Sequence, residues 1–344
     1  MPDSRSLLRE ASDPTLAPGV SAIVRDNLRL RAEDRFVLVA DEATRVIAAE
    51  VLREVQKVGL PVEAFVLEAR GPRPMKQLPR EIAYGLERAT ASLLMCAPQP
   101  GEVSMRLELI DIALARRLRH GHAPGLDPRM VREGARADPK FLATRNGRLL
   151  ERFARAKEVR FKSPAGTNLR SVLDPTYAWD SNTGVIRPGV FANIPAGQVS
   201  VMPGDTEGTF VADGSLSEWF GPRYGVLASH PVTFVVEKSR VRDVQCANAG
   251  LAREVKSYLR GDPEGNRIGE IGIGTNPMVP GMIGIVLQDE LYPTGHLGLG
   301  LPHRGAKVNW TARINLVGTM ASSEVWADGD RILAAGKFEP WVDA

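Results

Sequence analysis

A serine or cysteine nucleophile needs a histidine within reach, and the five histidines here are His120, His122, His230, His296 and His303. None stands beside a GxSxG turn, so the sequence offers no nucleophilic triad. His120 and His122 lie in RRLRHGHAPG with no carboxylate close in sequence, which reads as two solvated histidines at the end of a basic helix rather than a metal pair. Cys96 and Cys246 have no CxxC spacing, which excludes a thiolate zinc site and a disulfide framework. Both read as small buried hydrophobes in a reducing compartment. The turn after FVLVA is DEAT, and neither GxGxxG nor GxxxxGKS occurs, so the close backbone approach that cradles a phosphate is missing. Unusual polar residues in glycine-rich surroundings concentrate between 190 and 339, in NIPAGQVSVMPGDTEG, IGEIGIGTNP, QDELYPTGHLGLG and NWTARINLVG.

The elements that must position those segments follow from the hydrophobic pattern. FVLVA at 36–40 is a short apolar run, TRVIAAEVLREVQKVG has helical spacing, and VEAFVLE returns to strand character after Gly59, which makes one βαβ unit. A further apolar run, ATASLLMCA at 89–97, follows the helical EIAYGLER, and EVSMRLELIDIALARRLRHG predicts another helix. Residues 1–156 therefore read as an open α/β domain. From 157 to 344 the runs VRFKS, VSVMP, GTFVAD, PVTFVVEKS, GIVLQ and INLVG are short and β-prone, divided by glycine and proline turns. This second domain reads as β-rich, with one helix at ANAGLAREVKSYL capped by Asn248 and stopped by the Gly261-Asp262-Pro263 run.

With 44 Lys and Arg against 41 Asp and Glu, the net charge of +3 gives no nucleic-acid footprint. The basic stretch from Arg116 to Arg136 reads as a solvated helix face. No apolar stretch approaches the roughly 20 residues that span a bilayer, and the first ten residues lack an apolar signal core, so a cytoplasmic protein is expected.

KSPAGTNL at 162–169, the PAGQV turn, the GEIGIGTNP segment and the GHLGLG segment occur in an order that resembles the C-terminal domain of the aminopeptidase T-like metallopeptidases. The same order is found in their relatives, the 2,5-dihydroxypyridine ring-cleaving dioxygenases. The resemblance covers roughly 157–344 and, more weakly, the N-terminal domain. It implies an α/β fold with a C-terminal β-rich domain, and a homodimer or larger assembly. In the aminopeptidases that domain holds two divalent metals. The resemblance carries their ligand positions onto Gln198, Glu270, Glu290, His296, Arg313 and Asn315. Gln198 and Asn315 are neutral and Arg313 is a permanent cation, so three positions have lost their metal-binding character. The His-x-Asp arm of a mononuclear iron site is lost with them.

What the resemblance then implies is a non-catalytic peptide-binding protein on an aminopeptidase-like scaffold, one that presents a precursor peptide to modifying enzymes in natural-product biosynthesis. Its ligand contacts are Gln198, Glu270, Glu290, His296, Arg313 and Asn315, with Arg313 at the floor of the cleft pairing a carboxylate or peptide backbone. No cofactor and no metal are expected, and the partner is a peptide rather than nucleic acid or membrane. Trp179, Trp219, Phe220, Tyr224, Tyr292 and Trp310 serve either as core or as anchors for peptide side chains. The alternative is a metal-dependent hydrolase or ring-cleaving enzyme using Glu270, Glu290 and His296 as acid, base or ligands.

Overall fold

Phe36–Ala40 (β1) is buried at every position, as a central parallel strand covered on both faces must be. The computed structural model describes residues 3–99 and 101–344. Two compact units divide it: one holds residues up to Pro139 together with Gly184–Ala196, the other Lys140–Thr183 with Gly197–Ala344. The change of pattern read at 156/157 thus falls after the contact division, because the helix Pro139–Phe153 buries Leu149 and Phe153 in the core of the second unit.

In the first unit β1 lies between Val62–Val66 (β2) and Ala91–Cys96 (β3), which continue to Arg119–Pro124 (β4) and Val190–Asn193 (β8), all parallel. The helix Arg45–Val58 connects β1 to β2, burying Ile47, Val51 and Val55, and ends where Gly59 takes a φ of 80°. Asp41 and Thr44 close a capping box ahead of that helix.

The strand β4 corrects the reading of RHGHAP as a helix end. Its polar sequence hides a central position: His120 is wholly buried and His122 nearly so. Ser92 Oγ lies 2.9 Å from His120 Nδ1, and His120 Nε2 lies 3.4 Å from His122 Nδ1. Burial pushes His120 down to about 3, and burial together with the charges of His120 and Arg106 holds His122 well below the usual histidine range. Both rings are therefore neutral members of the core.

The sheet order β2-β1-β3 makes the carboxyl ends of β1 and β3 a switch point, the place where open α/β sheets bind nucleotides. Here the Arg73 guanidinium fills it. Arg73 donates to Asp41 at 2.6 Å, to Glu102 at 2.8 Å and to the Ala97 carbonyl at 2.6 Å, with Asp41 and Glu102 side chains 1% exposed. The missing glycine loop and the occupied crevice agree.

The second unit is built on two antiparallel sheets. One has eight strands, in the order β12-β11-β10-β6-β5-β16-β17-β18. Along the chain these are Glu158–Lys162 (β5), Asn168–Val172 (β6), Asp205–Ala212 (β10), Val232–Glu237 (β11), Arg240–Gln245 (β12), Glu324–Ala327 (β16), Asp330–Ala334 (β17) and Lys337–Phe338 (β18). The other is β15-β14-β13-β9-β7, formed by Asp180–Asn182 (β7), Gln198–Val201 (β9), Ile268–Gly274 (β13), Gly295–Gly300 (β14) and Asn315–Thr319 (β15).

Phe161, Phe210 and Phe234 from the first sheet share one core with Val199, Ile271 and Leu297 from the second. The helix Ala249–Leu259 starts where Asn248 Oδ1 accepts from the Leu251 N–H at 3.1 Å. The run GIVLQ forms a short helix, Val286–Asp289, rather than a strand. Four or five apolar residues carry no period that separates the two. Trp179 stacks on Phe153 at 4.5 Å, and Trp219 and Tyr224 pack against the same core, so these aromatics serve packing. No helix among the described residues is long and apolar enough to cross a membrane.

Candidate functional site

Alternation along the five-stranded sheet creates the site. Val199, Val201, Ile271, Ile273, Leu297, Leu299 and Leu316 are buried in the core. The residues between them, Gln198, Ser200, Glu270, Gly272, Gly274, His296 and Gly298, take the opposite face. Ser200, Gly272 and His296 stand opposite one another across β9, β13 and β14. Gly272 is needed there: a Cβ at that position would sit 2.1 Å from His296 Nε2, so the imidazole lies over bare backbone.

Four side chains converge on this face and fix each other's protons. The Gly305 N–H donates to His303 Nδ1 at 3.0 Å, which leaves the His303 proton on Nε2, 3.2 Å from Ser200 Oγ. Ser200 accepts from His303 and donates its own O–H to the Glu270 carboxylate. His296 Nε2 lies 3.4 Å from Glu270 Oε1, and the Nδ1 on the other side of that ring is buried with no hydrogen-bond partner. Burial works against a charge on Glu270, but the hydrogen bond and charge of His296, then His303 and Ser200, hold its carboxyl below the usual range. Burial likewise lowers His303, against the opposing pull of Glu270 and Asp180.

This geometry decides what the cluster does chemically. Ser200 is no nucleophile, because His303 donates to it rather than taking its proton. Glu270 is a poor general base near neutral pH, since its carboxyl is held low, but it is a stable anion. Its side chain is 26% exposed, so the charge is open to a ligand.

The residues read from the sequence scatter more widely. Glu270 and His296 come together as expected. Gln198 lies on the same face, its carbonyl accepting from Asn146 Nδ2 at 3.1 Å and its Oε1 buried without a partner. Glu290, 8% exposed, follows the helix Val286–Asp289. Asn315 stands at the far end of β15, four residues and roughly 13 Å from Thr319, the residue opposite His296.

Arg313 is not at the floor of this cluster. It precedes β15 and is 94% exposed, its Nε 3.9 Å from Asp262. Its main-chain N–H, not its guanidinium, makes the hydrogen bond to that carboxylate. Sequence reasoning passed over Ser200 and His303, which lie 103 residues apart. The available signal was the alternating glycine of β13 and β14, which marks a strand face kept clear of side chains.

The metals implied by the resemblance do not fit these donors. The described residues contain no group of three His, Cys, Asp or Glu side chains arranged to hold an ion. Glu290 therefore does not complete a set with Glu270 and His296, and both nitrogens of His303 are committed to Gly305 and Ser200.

A family model described as NicX, 2,5-dihydroxypyridine 5,6-dioxygenase, matches residues 138–280. It thus takes in Glu270 and stops short of His296 and His303. No curated protein matches the chain. Among solved structures, 2,5-dihydroxypyridine dioxygenase from Pseudomonas putida KT2440 is similar with a TM-score of 0.71 and 17% identity, covering 97% of this chain and 100% of that one. AmpT from Thermus thermophilus is similar with a TM-score of 0.68 and 15% identity, covering 94% and 98%. Across nearly its whole length the chain has the aminopeptidase T-like fold that these two proteins share.

Proposed function

We propose that this chain is a non-catalytic peptide-binding protein on the aminopeptidase T-like fold, with Glu270 as the anionic contact for its ligand. The observation that carries the reading is the closed hydrogen-bond set around Glu270. His296, Ser200 and, through Ser200, His303 spend their protons on holding one carboxylate ionised and partly open. That arrangement favours docking a donor-bearing ligand over moving a proton. The buried acceptors His296 Nδ1 and Gln198 Oε1 add to the call for a ligand rich in N–H groups, such as an extended peptide. A precursor peptide held out to modifying enzymes is the biological setting this reading names.

Calorimetric titration with unstructured peptides tests it. The native chain is expected to bind, and Glu270→Gln to weaken binding at least tenfold while circular dichroism shows the fold retained. The second reading, a dioxygenase-like enzyme, is favoured by the NicX match over 138–280. Ring cleavage of 2,5-dihydroxypyridine by the iron-loaded protein, with no peptide bound under any condition, would put that reading in its place.

A further inference from the structure

In the first unit the amino ends of the parallel strands gather arginines from loops far apart in sequence. Arg35 precedes β1, Arg117 precedes β4 and Arg187 precedes β8, while Arg29 follows the π-helical segment Ala22–Asn27. The main chain ties these loops together. The Arg35 N–H donates to Thr90 Oγ1 and the Arg119 N–H to the Thr90 carbonyl, both at 3.1 Å, and Arg119 Nη1 donates to the Arg29 carbonyl at 3.4 Å. The Gly189 N–H donates to the Leu118 carbonyl and the Val190 N–H to the Arg187 carbonyl, both at 3.0 Å, and a Cβ on Gly189 would lie 3.7 Å from Arg117 Cγ. The Arg29, Arg35, Arg117 and Arg187 side chains are all exposed, and none has a carboxylate in ion-pair range among the described residues.

The carboxylates at this end do not balance them. Asp34 pairs with Arg119, Glu33 with Arg31 at 3.8 Å, Glu63 with Arg88 at 3.0 Å and Glu87 with Arg116 at 3.7 Å, while Glu54 serves both Arg25 and Lys57. Asp26 and Asp111 remain without a cation. Over these groups ten positive charges face seven negative ones, so this one end holds an excess equal to the +3 of the whole chain. Helices also end here, but the partial negative charge of a helix C-terminus fades within its last turn. Two of the four arginines occupy positions that suit glycine: Arg29 and Arg117 have φ of 52° and 57°, each just past a helix end. At Arg117 the turn is closed by its own N–H to the Leu114 carbonyl at 3.0 Å and by the Leu118 N–H to the Ala113 carbonyl at 2.8 Å. Glycine fills such a position without strain, so the fold does not ask for a guanidinium at either place.

We propose that this end of the first unit binds the phosphate backbone of double-stranded nucleic acid without reading its sequence. From β8 through β4 and β3 to β1 are three strand intervals, about 14 Å, over which one strand of a B-form duplex presents about four phosphates. The loops at this end, 28–35, 59–61, 89–90, 116–118 and 187–189, contain no Phe, Tyr or Trp on which an unpaired base could stack. That favours a duplex held by its phosphates over a single strand, whose binding leans on stacking. The surface shares no residue with the Glu270 cluster and does not depend on it.

Fluorescence anisotropy with a fluorescein-labelled DNA duplex of about 20 base pairs, in potassium chloride between about 50 and 200 mM, tests the proposal. Four phosphate contacts predict a slope of about −3.6 for log K against log salt, and duplexes of unrelated sequence should bind within twofold of one another. Arg29→Gly with Arg117→Gly should bring the slope to about −1.8 and cost at least tenfold at the lower salt, while circular dichroism shows the fold retained. Lys238→Gly with Lys76→Ala removes the same charge from exposed positions elsewhere, Lys238 also being left-handed with a φ of 49°, and should stay within twofold. No binding at the lower salt, an unchanged slope in the arginine variant, or an equal loss in the lysine variant would each overturn it. So would tighter binding of the single strand, or of a polyglutamate peptide, than of the duplex.

Discussion

The buried histidines of β4 make the first unit acid-sensitive, and the size of the effect can be worked out. An unfolded histidine titrates near 6.5, whereas burial pushes His120 down to about 3. Above pH 6.5 both states are neutral there and His120 contributes no pH dependence. Below it the unfolded chain binds a proton that the folded chain refuses, so stability falls as the pH drops from 6.5 towards 3. At pH 5 the ratio is about 30-fold, or about 2 kcal/mol, from His120 alone, and His122 acts in the same direction.

Hydrogen exchange on the segment 119–124, corrected for the intrinsic pH dependence of exchange, reads this locally. Protection should drop at least 30-fold between pH 7 and pH 5. His120→Asn, which removes the titrating ring at this position, should flatten the pH dependence by about that factor while lowering protection at both values. Equal pH dependence in the two proteins would refute the assignment, as would greater protection of the native chain at pH 5.

Arg73→Ala leaves the Asp41 and Glu102 carboxylates buried without their shared cation, and the expected loss in a denaturation experiment is about 3–5 kcal/mol. Gly272→Ala places a methyl 2.1 Å from His296 Nε2, so the ring must leave Glu270. The expected cost is about 1–3 kcal/mol, with displaced His296 ring resonances by NMR and a loss of peptide affinity comparable to that of Glu270→Gln. Arg313→Ala, by contrast, removes a side chain that is 94% exposed. It should leave the melting temperature unchanged and peptide binding at Glu270 within twofold, and a tenfold loss there would show that the guanidinium reaches the cluster after all.

Long periodic segments were legible from residue types. Arg45–Val58 shows a helical stripe with a glycine stop, and Ala249–Leu259 carries the asparagine cap that the sequence announces. β4 was not, because RHGHAP has neither an apolar run nor alternation. Its burial is set by the strands on either side, and two neutral imidazoles supply the volume that valine or leucine supplies elsewhere. At the site, Glu270 and His296 were legible through motif order. Ser200 and His303 carry no local signature, since a tautomer fixed by a loop N–H leaves no trace in spacing. Arg313 was misplaced because a motif position says which strand a residue precedes, not which way its side chain leaves the chain.

The two faces of the five-stranded sheet are under different demands. The apolar face is locked into a core shared with eight other strands, and any change of volume there is felt throughout the unit. The glycine-bearing face carries Ser200, Glu270 and His296 close over backbone without side chains of its own, so the groups there constrain one another rather than the core. Chemistry on that face is thereby separable from folding. Drift there can proceed while the apolar architecture stays still, which gives a physical route by which chains with 15–17% identity keep one fold.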